Sequence, residues 1–186
     1  TISVYGERMN SELYHEDCEK TPLSPYAITK LEAENLLLKE FIHKSWILRL
    51  APVYSKTFNL NINRRTKIRD SFYKVGDGLN KLSLCNVENI LKTVNNIIDD
   101  KVPAGIYNLS DSKSYSYQKL LLYNKAVRVL VIPKILIIFL YYFGKFLKNS
   151  FLKENTIKLI KNNIFPSEKL SKYVDLNASL DHNKDI

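Results

Sequence analysis

The chain has 186 residues, which bounds it to one domain or one domain with an appendage. Apolar residues make up 45% and charged residues 25%, ordinary globular proportions that exclude a disordered or collagen-like chain. Two cysteines, Cys18 and Cys85, are too few for a disulfide scaffold or a four-thiolate zinc site, so a reducing, cytoplasmic setting is expected. The formal net charge is +9, unevenly spread: residues 1–100 carry 14 basic against 13 acidic side chains, and residues 101–186 carry 14 against 6. A basic second half suits nucleic acid, acidic lipid headgroups or a phosphorylated ligand, although lysines spread singly through apolar sequence also describe a solvated face.

In chain order, Thr1–Tyr5 reads as the end of a strand punctuated by Gly6, and a polar loop follows to Lys20. Ser24 followed by Pro25 predicts a helix entry, because proline is tolerated in a first turn where its missing N–H is not needed. Ile28, Leu31, Leu36, Leu38 and Phe41 then recur at helical spacing. The run Ser45–Ala51, closed by Pro52, suits a buried strand, and this strand–helix–strand rhythm predicts an α/β fold with parallel neighbours. Residues 56–81 are polar and basic, with Lys56, Arg64, Arg65, Lys67 and Arg69 close together. Asn86 is placed to cap a helix through Ile90, Leu91, Val94 and Ile98, and Ile106–Leu109 is a second short strand. Helical patterns dominate afterwards. The most apolar stretch, Val127–Leu147, is broken by Arg128, Pro133, Lys134 and Lys145. Its longest charge-free part, Ile135–Gly144, falls short of the ~20 residues that cross a bilayer, so a buried or interfacial helix is expected. Aromatic residues beside lysines keep peripheral membrane contact open.

The residues that carry chemistry begin with Tyr26-Ala27-Ile28-Thr29-Lys30. Residues four apart share a helix face, so a phenol and an ammonium can point into one cleft. A fixed positive charge favours a phenolate, which makes tyrosine usable as a general acid or base. The spacing alone discriminates little: twelve tyrosines and 22 lysines give about 1.4 such pairs by composition, and the chain holds three, the others being Tyr115/Lys119 and Tyr141/Lys145. His15, His43 and His182 are scattered along the chain, so no metal site is expected. Cys85, in an apolar strand-like run, reads as packing.

Context separates the first pair from the other two. Thr1-Ile2-Ser3-Val4-Tyr5-Gly6-Glu7, then Pro22–Glu34 around Tyr26 and Lys30, resemble the extended short-chain dehydrogenase/reductase family, closest to its NAD-dependent nucleotide-sugar epimerases, dehydratases and 4-keto reductases. The resemblance continues through Leu48–Tyr54, Asn59-Leu60, Ser83–Asn89 and Gly105–Asp111, and thins out after about residue 120. It implies that Tyr26 is the catalytic acid/base and that Lys30 holds the nicotinamide ribose of NAD or NADP. It also implies that Thr1 hydrogen-bonds the reacting sugar oxygen and that Pro52 lies in the loop approaching nicotinamide and sugar. Asn59 would help hold the diphosphate of a nucleotide sugar, a UDP-sugar by the family's habit, and Lys81 would stand in for an arginine that many relatives carry where Leu82 stands here. A homodimer is the family expectation.

The departures from that pattern carry their own expectations. Ile2 and Ser3 replace the acidic pair that follows the threonine in 4,6-dehydratases, which argues against water elimination. Ser55 stands where relatives have glycine. A lysine at position 81 supplies a point charge but no two-pronged donor, leaving phosphate contacts to Arg64, Arg65 or Arg69. Dinucleotide binding needs a Gly-rich turn at a helix N-terminus, and Gly76-Asp77-Gly78 fails that fingerprint. The expectation is therefore the C-terminal portion of a longer enzyme: an incomplete Rossmann-like parallel sheet with a small, mostly helical substrate-binding lobe. The sheet would draw on residues 1–55 and 83–102, and the lobe on 56–82 and 103–186. The competing expectation is a basic, non-catalytic module for nucleic acid or an acidic membrane surface, although no nucleic-acid motif is present.

Overall fold

The computed structural model describes residues 1–6, 9 and 11–181; Glu7 of the first family block and His182 fall outside them. The stretch expected as a strand end is instead a single 3-10 turn over Ile2–Tyr5. Local bonds satisfy its backbone: the Thr1 hydroxyl accepts the Ser3 N–H at 3.4 Å, and the Gly6 N–H donates to the Ser3 carbonyl at 3.3 Å. Gly6 then turns the chain at φ 61°, where a side chain would place its Cβ 1.9 Å from the Thr21 carbonyl oxygen.

Helix α1 spans Pro25–Phe41 and starts as its sequence predicts, with the Ser24 hydroxyl accepting the Ala27 N–H at 3.3 Å. Its apolar spacing meets a core only in part: Leu31 packs on Val4, Tyr5, Tyr14 and Phe165, and Leu38 is half-buried. Only Ala27 and Glu34 are buried, while Ile28, Leu36 and Phe41 are exposed. Strand β1, Trp46–Leu50, follows, then β2, Val53–Tyr54. The polar, basic stretch contains helix α2, Leu60–Thr66, strands β3, Lys67–Ile68, and β4, Ser71–Val75, and the start of β5, Lys81–Leu82. After β6, Cys85–Asn86, comes helix α3, Val87–Ile98, with the Asn86 side chain accepting the Glu88 N–H at 2.9 Å, the cap its sequence predicts. Strand β7, Gly105–Leu109, precedes β8, Tyr115–Ser116, and helix α4, Tyr117–Tyr123.

Val127–Leu147 is not one helix. It divides at Pro133 into strand β9, Val129–Ile132, and helix α5, Lys134–Phe146, because proline offers no N–H to continue a ladder yet suits a helix start. Nor is the helix buried, since only Ile137 and Gly144 are enclosed, against helix α6, Ser150–Ile160. No helix among the described residues is long and apolar enough to cross a membrane.

Strands β1 and β7 run parallel in register from Trp46 opposite Gly105 to Leu50 opposite Leu109. They make a two-stranded sheet, so the second edge of β1 has no strand partner among the described residues. The pairing also crosses the boundary expected after residue 102, joining β7 to the sheet. Smaller ladders join β2 to β6 in parallel, β5 to β8 antiparallel, and β4 to both β3 and β9. The core under the β1–β7 sheet combines Ala51, Val102, Tyr107 and Leu109 with Leu170, Val174 and Leu176 from the C-terminal segment. A second core, built on Tyr54, Ile62, Leu84, Tyr115 and Leu120, holds α2 and α4 beside it.

Candidate active site

Side chains alternate across β1, so Ile47 and Arg49 point to one face while Leu48 and Leu50 point to the other. Arg49, the bulkiest fully buried residue, locks α1 onto β1. Its Nε and Nη2 donate to Glu34 Oε2 at 3.1 and 2.8 Å, and its Nη1 donates to the Tyr5 hydroxyl at 2.8 Å and to the Glu16 carbonyl at 3.0 Å. The Tyr5 hydroxyl in turn donates to Asn108 Oδ1 on β7 at 2.7 Å. Burial works against the Arg49 charge, but the hydrogen bonds it donates to Glu34 and Tyr5, with their charges, outweigh it and hold its pKa above the ordinary value. Burial pushes the Tyr5 phenol up, despite the neighbouring guanidinium, so it stays protonated.

Tyr26, Lys30 and Glu34 sit at four-residue steps along one stripe of α1. With Glu34 pinned to Arg49, the first two are carried to the carboxyl end of β1, the position at which open α/β sheets present their ligands. The Lys30 ammonium lies 5.9 Å from the centre of the Tyr26 ring. Both line a cavity of about 600 Å³ together with Thr1, Ile2 and Ser3 from the N-terminal turn and with Leu48, Leu50, Ala51, Pro52 and Val53 from β1 and the chain after it. Asn61, Arg64 and Arg65 from α2 and Lys158 from α6 complete the lining. The Asn61 amide donates to the Val53 carbonyl at 2.8 Å, which ties α2 to β2, and Arg65 Nη1 donates to the Asn61 carbonyl at 2.8 Å. Lys30, Arg64, Arg65 and Lys158 make four cations in a lining that contains no acidic residue among those described. Such a cavity favours a polyanion.

Four of the sequence-predicted residues therefore meet: Thr1, Tyr26, Lys30 and Pro52. Two do not join them. Asn59 is the residue before α2, and its side chain takes a long, 3.5 Å bond from the Tyr123 hydroxyl. Lys81 lies on β5, exposed and paired in register with Ser116. Of the arginines offered as phosphate contacts, Arg64 and Arg65 line the cavity and Arg69 does not. Asn61 and Lys158 were missed. Asn61 is two places from the residue chosen by resemblance, while Lys158 arrives from α6, where nothing local in sequence marks it.

The Tyr115/Lys119 pair is structural. The Tyr115 hydroxyl donates to Asp111 Oδ2 at 2.8 Å, and Lys119 forms an ion pair with Asp181 at 2.5 Å. The Tyr54 hydroxyl shares the same Asp111 oxygen at 2.7 Å, while the Asn86 N–H and the Asn89 amide donate to Oδ1 at 2.7 and 2.9 Å. Burial raises the Asp111 pKa even against these four donors, and raises both phenols strongly. Cys85 is fully enclosed nearby, its thiol pushed up by burial and then by the Asp111 charge, which fits packing rather than nucleophilic work.

No family model and no curated protein matches the chain. Solved structures do. UDP-glucuronic acid 4-epimerase from Bacillus cereus in complex with NAD matches at TM-score 0.67 and 20% identity, over 98% of this chain and 56% of that one. ADP-L-glycero-D-manno-heptose-6-epimerase from Helicobacter pylori matches at TM-score 0.65 and 14% identity, over 100% and 59%. dTDP-glucose 4,6-dehydratase from Bacillus anthracis in complex with NAD matches at TM-score 0.59 and 13% identity, over 93% and 53%. The chain spans little more than half the length of these proteins. Across that span, its fold is that of the NAD-dependent nucleotide-sugar epimerases and dehydratases.

Proposed function

We propose that this chain carries the proton-transfer and sugar-nucleotide-facing part of an NAD(P)-dependent nucleotide-sugar epimerase or 4-keto reductase of the extended short-chain dehydrogenase/reductase family. The observation that carries this reading is a single cavity lined by Tyr26, Lys30 and Thr1 together with Arg64, Arg65 and Lys158. The two ends of a sugar nucleoside diphosphate need those two chemistries, a proton carrier at the sugar and cations at the diphosphate.

The residues present fit the nicotinamide-ribose end of a dinucleotide and not its pyrophosphate. Tyr26 and Lys30 stand together at an open cavity, with Pro52 beside them. The only closely spaced glycines, Gly76 and Gly78, make the tight turn after β4. A Cβ on Gly78 would crowd the Lys74 side chain at 3.2 Å, so that turn is filled by its own chain and is no phosphate cradle. When bound, the nicotinamide would supply or accept hydride at a sugar carbon. Tyr26 would exchange the proton of the sugar hydroxyl at that carbon as it becomes, or ceases to be, a ketone. Thr1 would donate or accept a hydrogen bond at the same oxygen, fixing its distance from the phenol. Lys30 would orient the ribose by hydrogen bonding, and Arg64 and Arg65 would offer planar, paired donors to the diphosphate.

Calorimetric titration with UDP-glucose tests this. The chain should bind it, Arg64→Ala/Arg65→Ala should weaken binding at least tenfold, and Tyr26→Phe should leave binding within about twofold. No binding, or binding indifferent to the arginine pair, overturns the reading. So does displacement of UDP-glucose by single-stranded DNA at equal affinity, which would return the basic-module alternative.

A further inference from the structure

Helix α5 is apolar on both sides but packed on one. Ile137 and Gly144 face α6, and a Cβ on Gly144 would come within 3.1 Å of Leu152. The opposite stripe, Ile135, Leu136, Phe139, Tyr142, Phe143 and Phe146, keeps helical spacing and stays open, from 46% exposure at Phe143 to 82% at Phe146. Leu147, just past the helix, extends it, and the rings of Phe139 and Phe143 stack 6.3 Å apart within it. At about 200 Å² for a fully exposed large side chain, the stripe presents roughly 800 Å² of apolar surface, above the ~300–600 Å² of the largest patch on a typical monomer. Phe151 of α6 is 76% exposed as well.

The charge around this stripe selects its occupant. From Ser112 to Lys153 the chain has eight basic residues and no acidic one. Lys134, Lys145 and Lys148 bracket the apolar stripe, are exposed, and make no ion pair among the described residues. A second copy docking through the same stripe would set these lysines against their own counterparts with no carboxylate to answer them. An acidic bilayer answers both features at once, with acyl chains for the aromatic stripe and anionic headgroups for the lysines.

We propose that α5 is a membrane-surface anchor, lying in the headgroup plane of an anionic bilayer with Phe139, Phe143 and Phe146 inserted and Lys145 and Lys148 at the phosphates. Its 13 residues lie on the interface and do not span it. The proposal is independent of the sugar-nucleotide reading, because none of these residues lines the Tyr26 cavity.

Flotation with vesicles of phosphatidylcholine containing about 30% phosphatidylserine, against phosphatidylcholine alone, tests it at about 0.1 M salt, where screening still leaves contact-range attraction. The chain should float with the anionic vesicles at least tenfold more than with the neutral ones. Phe139→Ser/Phe146→Ser and, separately, Lys145→Glu/Lys148→Glu should each reduce partition at least tenfold with the melting temperature retained. Failure to float with the anionic vesicles overturns the proposal. Full binding by the phenylalanine pair variant also overturns it, by showing adsorption through charge alone. A dimer in sedimentation that dissociates in the phenylalanine variant, with no flotation of either, overturns it in favour of a second copy.

Discussion

The buried pair between Glu34 and Arg49 is the most consequential contact to perturb, because it sets α1 against β1 and so places Tyr26 and Lys30. Glu34 is 7% exposed and Arg49 1%, and the carboxylate receives two guanidinium donors. Glu34→Ala would leave the guanidinium buried with the Tyr5 hydroxyl, the Glu16 carbonyl and the Tyr5 ring, whose centre lies 4.9 Å away. Breaking a buried pair from one side costs about 3–5 kcal/mol, and those surviving partners place this case near 3 kcal/mol. Against a typical total of ~5–15 kcal/mol, that is a large fraction. With an m-value of about 2 kcal/mol per molar urea, the unfolding midpoint should fall by about 1.5 M. Arg49→Met should cost a similar amount, since it strands the Glu34 carboxylate. The double variant Glu34→Ala/Arg49→Met should fall short of the sum by at least about 1.5 kcal/mol, as expected for two groups in one network. Urea titration followed by circular dichroism reads all three. A midpoint shift under about 0.3 M in Glu34→Ala, or strict additivity, would refute the claim that this pair holds the helix in place.

Two further outcomes follow from buried groups. Tyr54 and Tyr115 have folded-state pKa values raised by burial well above the ordinary tyrosine value near 10, so their contribution is fully present below pH ~10 and is lost as pH rises beyond it, where the unfolded chain releases protons that the folded chain retains. Melting temperature should therefore drop steeply between pH 9.5 and 11 (roughly, from those values), and Tyr54→Phe/Tyr115→Phe should flatten the slope while lowering stability near neutrality. A melting temperature that does not change across that range would contradict the burial of these phenols. Gly6→Ala should destabilise by about 2 kcal/mol or more, because the new Cβ would collide with the Thr21 backbone at a positive φ; a midpoint within error of the parent would show that the turn relaxes freely.

How much of this was readable beforehand depends on the range of the interaction responsible. Helix starts at Ser24 and Asn86 were legible because a cap is made by a side chain within three residues of the N–H it satisfies. Strands β1 and β7 were legible from short apolar runs, and the Tyr26/Lys30 face from helical spacing. Chemistry of that kind depends only on residues close together in sequence. The 3-10 turn at Ile2–Tyr5 was not legible, since an apolar run becomes a strand only when another strand is there to accept its ladder. Nor was the fate of the apolar faces of α1 and α5, where spacing declares a helix but only packing says which stripe is covered. The arginine inside β1 reads in sequence as an interruption of an apolar run, and tertiary structure makes it the bolt that holds α1, by bringing Glu34, Tyr5 and Glu16 to it. The cationic wall of the cavity likewise exists only after folding, because Arg64, Arg65 and Lys158 come from two helices far apart in sequence, and charges so separated become one site only when the cores between them close.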